Sequence, residues 1–164
     1  MDRETDTHIF FWGGFLSNWQ PSQFKYKGLT FFTSEQAFMW EKALFFHDME
    51  AAAQIMKTPE PSTCKKIGRK VKNFQADQWM KKAYQVMVDV NYEKFKQGHF
   101  RLRLLDTYPK TLVEASPEDR IWGIGLHSSD DRVLSENNWK GQNLLGKALM
   151  EVRERLRNES LYKT

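Results

Sequence analysis

The apolar pattern of this chain changes period at Thr33, and that change constrains the fold more than any other feature. Before it, the run His8-Ile9-Phe10-Phe11-Trp12 stops at Gly13-Gly14, and residues 24–32 alternate around Lys27-Gly28 as a hairpin does around a tight turn. After it, Phe38, Met39, Ala43 and Phe46 recur at helical spacing behind Thr33 or Ser34, either of which can cap a helix ending near His47. Strands and loops first and helices afterwards give an α+β chain.

The rest of the sequence is mostly helical. Asp48 can cap a second helix reaching about Met56, Thr58-Pro59-Glu60-Pro61 breaks it, and Ser62 begins a short basic helix ending near Gly68. The longest helical pattern runs from about Asp77 to Gln97, with Trp79, Met80, Ala83, Met87, Val90 and Phe95 turned inward. A short helix is expected over residues 100–105 and a strand over 111–115. A glycine-rich, polar stretch over 122–141 precedes a last helix from Leu144 to about Arg157, with Leu145, Leu149, Val152 and Leu156 as its apolar stripe. At 164 residues, with no linker, repeat or low-complexity tract, the chain is expected to be one domain over residues 1–164, its core between about 9 and 157. The class is α+β, a mostly helical single domain with a few short strands.

Several kinds of chemistry drop out. The lone Cys64 cannot form an intramolecular disulfide and has no zinc partners at a useful spacing, and the four histidines lie far apart. No metal is expected. Gly123 and Gly125 lack the third glycine of a dinucleotide fingerprint, and no Walker loop or serine nucleophile elbow is present, so no cofactor is expected either. No apolar run approaches the roughly 20 residues that span a bilayer. The start, Met1-Asp2-Arg3-Glu4, has no basic segment leading into an apolar one, so a cytoplasmic protein with no membrane partner is expected. The net charge of +4 admits anionic ligands without demanding them.

Three groups of residues can carry chemistry. Glu35 and Lys42 interrupt an apolar stripe seven residues apart, which places them on one helix face about 10 Å apart along the axis. They either snorkel at the stripe's edge or flank a single ligand. In Glu114-Ala115-Ser116-Pro117-Glu118-Asp119-Arg120-Ile121-Trp122-Gly123-Ile124-Gly125, Asp119 belongs to an ordinary turn or is a carboxylate beside a stacking ring, with glycines that let backbone approach a ligand. Asn143 opens the last helix, either as a plain cap or at an N-terminus able to receive phosphate. Aromatic residues make up 14% of the chain and concentrate between Ile9 and Phe46; most must be core, but some can face a planar ligand.

Four fragments in this order resemble the YbiA-like, or NADAR, family: Phe15-Leu16-Ser17-Asn18-Trp19; Thr33-Ser34-Glu35-Gln36-Ala37-Phe38 with Lys42; Leu112-Val113-Glu114 through Asp119 to Trp122-Gly123-Ile124-Gly125; and Asn143-Leu144-Leu145-Gly146 through Leu149-Met150 to Arg153. The resemblance spans roughly Phe10 to Leu156. It implies an N-glycosidase that hydrolyses the bond between C1′ of a phosphorylated ribose and an exocyclic amine. The substrates it implies are ribose 5-phosphate on a pyrimidine of riboflavin biosynthesis, or ADP-ribose on guanine. In the second case ADP-ribosylated DNA or RNA becomes a partner, and Lys65, Lys66, Arg69, Lys70 and Lys72 either track its phosphates or form a solvated face. On this resemblance Lys42 attacks as an uncharged amine to give a Schiff base, and Glu35 shuttles protons. Alternatively Glu35 activates water directly and Lys42 only holds phosphate. Asp119 orients ribose hydroxyls or acts as a second acid/base group, and Trp122 stacks on the base. Asn143 and Arg153 help to hold phosphate, and Ser17, Asn18, Gly123 and Gly125 complete the substrate-binding set. The alternative is a non-catalytic module binding ADP-ribose or a nucleotide. Two departures stand out: Gln36 replaces a histidine common in the family, and residues 126–140 form a long polar insertion.

Overall fold

The computed structural model describes residues 2–161. The α+β reading holds: six helices accompany five short strands among those residues. The chain forms two compact units, one from residues 1–17 with 95–164, the other from residues 18–94.

In the first unit β1 (Arg3–Glu4) pairs antiparallel with β2 (His8–Phe11), and β2 pairs in parallel with β5 (Thr111–Glu114), bringing Phe10 opposite Val113. β1 was not foreseen, because two residues are too few to show alternation. The strand pair is parallel because the chain leaves β2 at Phe11 and returns only at Thr111, a long crossover of the kind a parallel pair requires. Helix α6 (Leu144–Leu161) packs on β5, with Leu145, Leu149, Val152 and Leu156 buried as the stripe predicts; α5 (Gly98–Asp106) lies against α6. The insertion is ordered. Two turns of 3-10 helix, Asp131–Leu134 and Glu136–Asn138, shape it, and the Trp139 indole N–H bonds the Val133 carbonyl at 2.8 Å. Arg3 fastens it to β1 through the Ser128 carbonyl and the Asp131 carboxylate, both at 3.1 Å.

In the second unit β3 (Phe24–Tyr26) and β4 (Leu29–Phe31) form the expected hairpin. Lys27 and Gly28 both have positive φ (51° and 79°), the two-residue turn whose twist suits a hairpin. Helices α1 (Ser34–Phe45), α2 (Met49–Met56) and α3 (Pro61–Arg69) pack on one another, and α4 (Ala76–Phe95) follows. Thr33 and Asp48 cap α1 and α2, accepting from the Gln36 and Ala51 amides. α3 starts one residue earlier than expected, because the fixed φ of Pro61 suits a first helical position. Glu41 ties α1 to the hairpin, accepting from the Tyr26 hydroxyl at 2.7 Å and from the Lys27 amine. No described helix is long and apolar enough to cross a membrane.

Lys94, near the end of α4, is fully buried, and loss of hydration pushes its amine down to about 7. The folded chain therefore releases this proton before the unfolded chain does. Between about pH 7 and 10 the unfolded state holds more protons, so stability rises with pH across that window, by on the order of a few kcal/mol. Lys94→Met is expected to flatten the rise, measured as unfolding free energy from about pH 6 to 10; an unchanged slope would assign it to other groups.

Candidate active site

In the second unit a buried polar network sets the entry to α1. The Asn18 carbonyl accepts the Glu35 amide at 3.0 Å, and the Asn18 side-chain oxygen accepts from the Asn91 amide at 3.3 Å. The Asn91 oxygen in turn accepts the Ser34 hydroxyl at 3.0 Å. Glu35, 9% exposed, is thus held at the first turn by backbone and neighbours fixed from α4. Gln36 is fully committed: its oxygen accepts the Phe32 amide, and its nitrogen donates to the Ile55 and Thr58 carbonyls at 3.0 and 2.8 Å. Gln36 here ties α1 to α2, with no titratable proton to relay.

Lys42 lies two turns beyond Glu35, half-buried, with its amine 4.3 Å from the centre of the Phe74 ring. Its pKa is below the ordinary lysine value. Burial is the main cause, the Arg69 guanidinium pushes the same way, and the Glu35 carboxylate opposes both. The Glu35 charge therefore acts on the Lys42 amine across the two turns between them. Around them runs a chain of rings: Phe38 on Trp79 (5.4 Å), Trp79 on Phe45 (5.6 Å), Phe45 on Phe46 (4.9 Å) and Phe46 on Phe74 (5.3 Å). An amine biased toward its neutral form, beside a carboxylate and against aromatic faces, is equipped to attack an electrophilic carbon.

In the first unit the loop after β5 is tightly built. Asp119 Oδ1 accepts the Ile121 and Trp122 amides at 2.9 and 2.8 Å, so one carboxylate oxygen shapes the turn that presents the half-buried Trp122. The Gln142, Asn143, Leu144 and Leu145 amides bond the Arg120, Gly123, Ile121 and Trp122 carbonyls and close the loop's stem. Gly123 lies where a Cβ would press on the Asp119 and Glu114 carbonyl oxygens, and Gly125 has φ +71°. Ser17 is half-buried, its amide bonded to the Gly14 carbonyl at 3.0 Å.

Two residues expected to help hold phosphate make internal hydrogen bonds. Asn143, 2% exposed and with φ +54°, accepts the Glu114 amide at 2.9 Å and donates to the Leu112 carbonyl at 3.0 Å, clamping β5 to the start of α6. Arg153, 6% exposed, donates to the Thr107 hydroxyl and the Lys110 carbonyl at 3.0 and 2.8 Å. Sequence reasoning missed Asn91 and Phe74. Asn91 was visible as a polar residue near the inward stripe of α4, whereas Phe74 follows Lys72-Asn73 in a connection with no periodicity to mark it. Among the described residues, no three His, Cys, Asp or Glu side chains gather as a metal site.

Comparison with known proteins agrees with this architecture. The model of the NADAR domain matches residues 10–157. N-glycosidase R617 of Acanthamoeba polyphaga mimivirus is 39% identical over 165 residues, covering 92% of this chain and 97% of that protein. Protein irg-1 of Caenorhabditis elegans is 44% identical over 143 residues, covering 85% and 68%. The NMR structure of E. coli YbiA superposes with a TM-score of 0.80 at 32% identity, covering 99% of this chain and 92% of that one. Sequence and structure agree, and the chain belongs to the YbiA-like, NADAR domain family.

Proposed function

We propose that this protein is an N-glycosidase that hydrolyses the bond between C1′ of a phosphorylated ribose and an exocyclic amine. The ribose carries ADP-ribose's diphosphate or a 5-phosphate, and the base is guanine or a pyrimidine of riboflavin biosynthesis. The relatives named N-glycosidases support the bond type. The observation that carries the mechanism is the depressed pKa of Lys42, with its amine over Phe74 and coupled to Glu35.

In the proposed route, the glycosylamine opens: the C1′–O4′ bond breaks, O4′ takes a proton, and C1′ becomes doubly bonded to the base nitrogen. The neutral Lys42 Nζ adds to C1′. Glu35 carries a proton from Nζ to the departing nitrogen, the C1′–N bond breaks, and the base leaves as its free amine. Water then adds to the lysine imine, releasing the sugar aldehyde, which recloses, and regenerating Lys42. By the family pattern, Asp119 serves the ribose hydroxyls or as a second acid/base group, and Trp122 stacks on the base. Ser17, Asn18, Gly123 and Gly125 belong to the same substrate-binding assignment.

The test offers both substrate types and measures released base, with borohydride added during turnover. Release together with a reduced sugar adduct on Lys42 is expected. Release without an adduct would leave direct attack by water, and tight ADP-ribose binding without release would make the protein a binding module.

A second reading, in which the base belongs to DNA or RNA, is favoured by charge distribution. Between Lys57 and Lys82 there are eight basic residues against two acidic ones, in a chain whose whole net charge is +4. Oligonucleotide affinity falling steeply with salt would support it, and affinity indifferent to salt would not.

A further inference from the structure

We propose that Arg69, at the end of α3, is the seat of the substrate's phosphate, with Phe74 as the ring beside it. This rests on the N-glycosidase reading and gives its phosphorylated substrate an anchor.

The geometry starts at Gly68. A Cβ there would run into the Met39 side chain, so α3 and α1 approach closely at this point. Met39 stands one turn before Lys42 on α1, and Arg69 directly follows Gly68. The contact therefore brings the end of α3 that carries Arg69 close to the stretch of α1 that carries Lys42, and the Arg69 charge acts on the Lys42 amine. Phe74 is fixed in turn. Asp48 accepts the Lys72 amide at 3.0 Å, Phe46 packs on the Phe74 ring, and the ring stays 43% exposed with the Lys42 amine over its face.

Arg69 is exposed and makes no ion pair with another described residue. With Glu35 acting on Lys42 and no ion pair of its own among the described residues, the Arg69 guanidinium is the cation left available to an anion at this end of α3. The planar guanidinium offers paired N–H donors that match phosphate oxygens, and Lys65, Lys66, Lys70 and Lys72 keep the surrounding field positive. A phosphate there would hold the ribose within reach of Lys42, while an aromatic face lies ready for a planar group.

The seat also has a pH signature. The charged groups acting on Lys42 are Glu35 from its own helix and Arg69 from α3. Removing Arg69 takes away a like charge, so the Lys42 titration moves to higher pH.

The experiment is calorimetry with the products ribose 5-phosphate and ADP-ribose, and with neutral ribose as control, on wild type, Arg69→Ala and Arg69→Lys. Both phosphorylated sugars are expected to bind about 10- to 100-fold more weakly to Arg69→Ala, with partial recovery in Arg69→Lys and no change for ribose. Loss with one sugar alone shows whether monophosphate or diphosphate is the preferred form. Unchanged binding of both sugars in a folded Arg69→Ala, or no binding of either by wild type, overturns the seat. Arg69-dependent binding without release of base keeps the seat and rejects the enzyme. Base release at an unaltered KM in Arg69→Ala keeps the enzyme and rejects the seat.

Discussion

Lys42→Arg is expected to lower kcat on a ribosylamine substrate by on the order of 10³-fold or more, because a guanidinium keeps the charge and much of the reach of lysine but has no lone pair to add to C1′. If Lys42 only held phosphate, arginine would substitute well, so this variant separates the two routes more cleanly than alanine does. The pH profile supplies a second readout. The attacking species is the neutral amine, so kcat/KM should rise with pH, with a midpoint below the ordinary lysine pKa because burial and Arg69 both disfavour the ammonium form. Glu35 opposes them. Glu35→Gln should therefore shift the midpoint to lower pH while reducing kcat by about 10²-fold or more through loss of the proton shuttle. Near wild-type turnover in Lys42→Arg, or a midpoint unmoved by both Glu35→Gln and Arg69→Ala, would remove Lys42 from the chemistry.

Asn143→Ala should act on the fold rather than on the ligand. The substitution leaves the Glu114 amide and the Leu112 carbonyl without their side-chain partner at a buried strand edge. It also places alanine at φ +54°, which side chains with a Cβ disfavour. Two lost buried hydrogen bonds and this strain cost about 3 kcal/mol. A fall in melting temperature of roughly 6 to 12 °C follows for a domain of this size, with ribose 5-phosphate affinity little changed in the folded fraction. The opposite result, full stability with weakened phosphate binding, would restore the ligand-holding role that the helix-opening position suggested.

Much of the fold was legible because local chemistry governs it. Thr33 and Asp48 cap helices where a hydroxyl or carboxylate precedes an apolar period, Lys27-Gly28 turns a hairpin, and the stripe of α6 is buried as its spacing requires. Glu35 and Lys42 were visible together for the same reason: two ionisable residues on one apolar face follow from helical geometry alone. Their coupling needed only the helix in between.

What the sequence could not decide depends on residues far apart in the chain. The family resemblance implied that Asn143 and Arg153 help to hold phosphate, but whether a polar side chain faces a ligand or its own backbone depends on what packs beside it. Here Asn143 bonds the backbone of β5, and Arg153 donates through Nη1 to Thr107 and Lys110 just before it. Arg69 read as one of five clustered cations that either track phosphates or form a solvated face, and Phe74 as an unremarkable loop residue. The close contact of Gly68 with Met39 brings the end of α3 to α1, and the Asp48 bond to Lys72 holds the loop that carries the ring. Capping and periodicity are local energies written into neighbouring residues. The depression of the Lys42 pKa is a desolvation and a Coulomb effect from groups brought close only by tertiary packing.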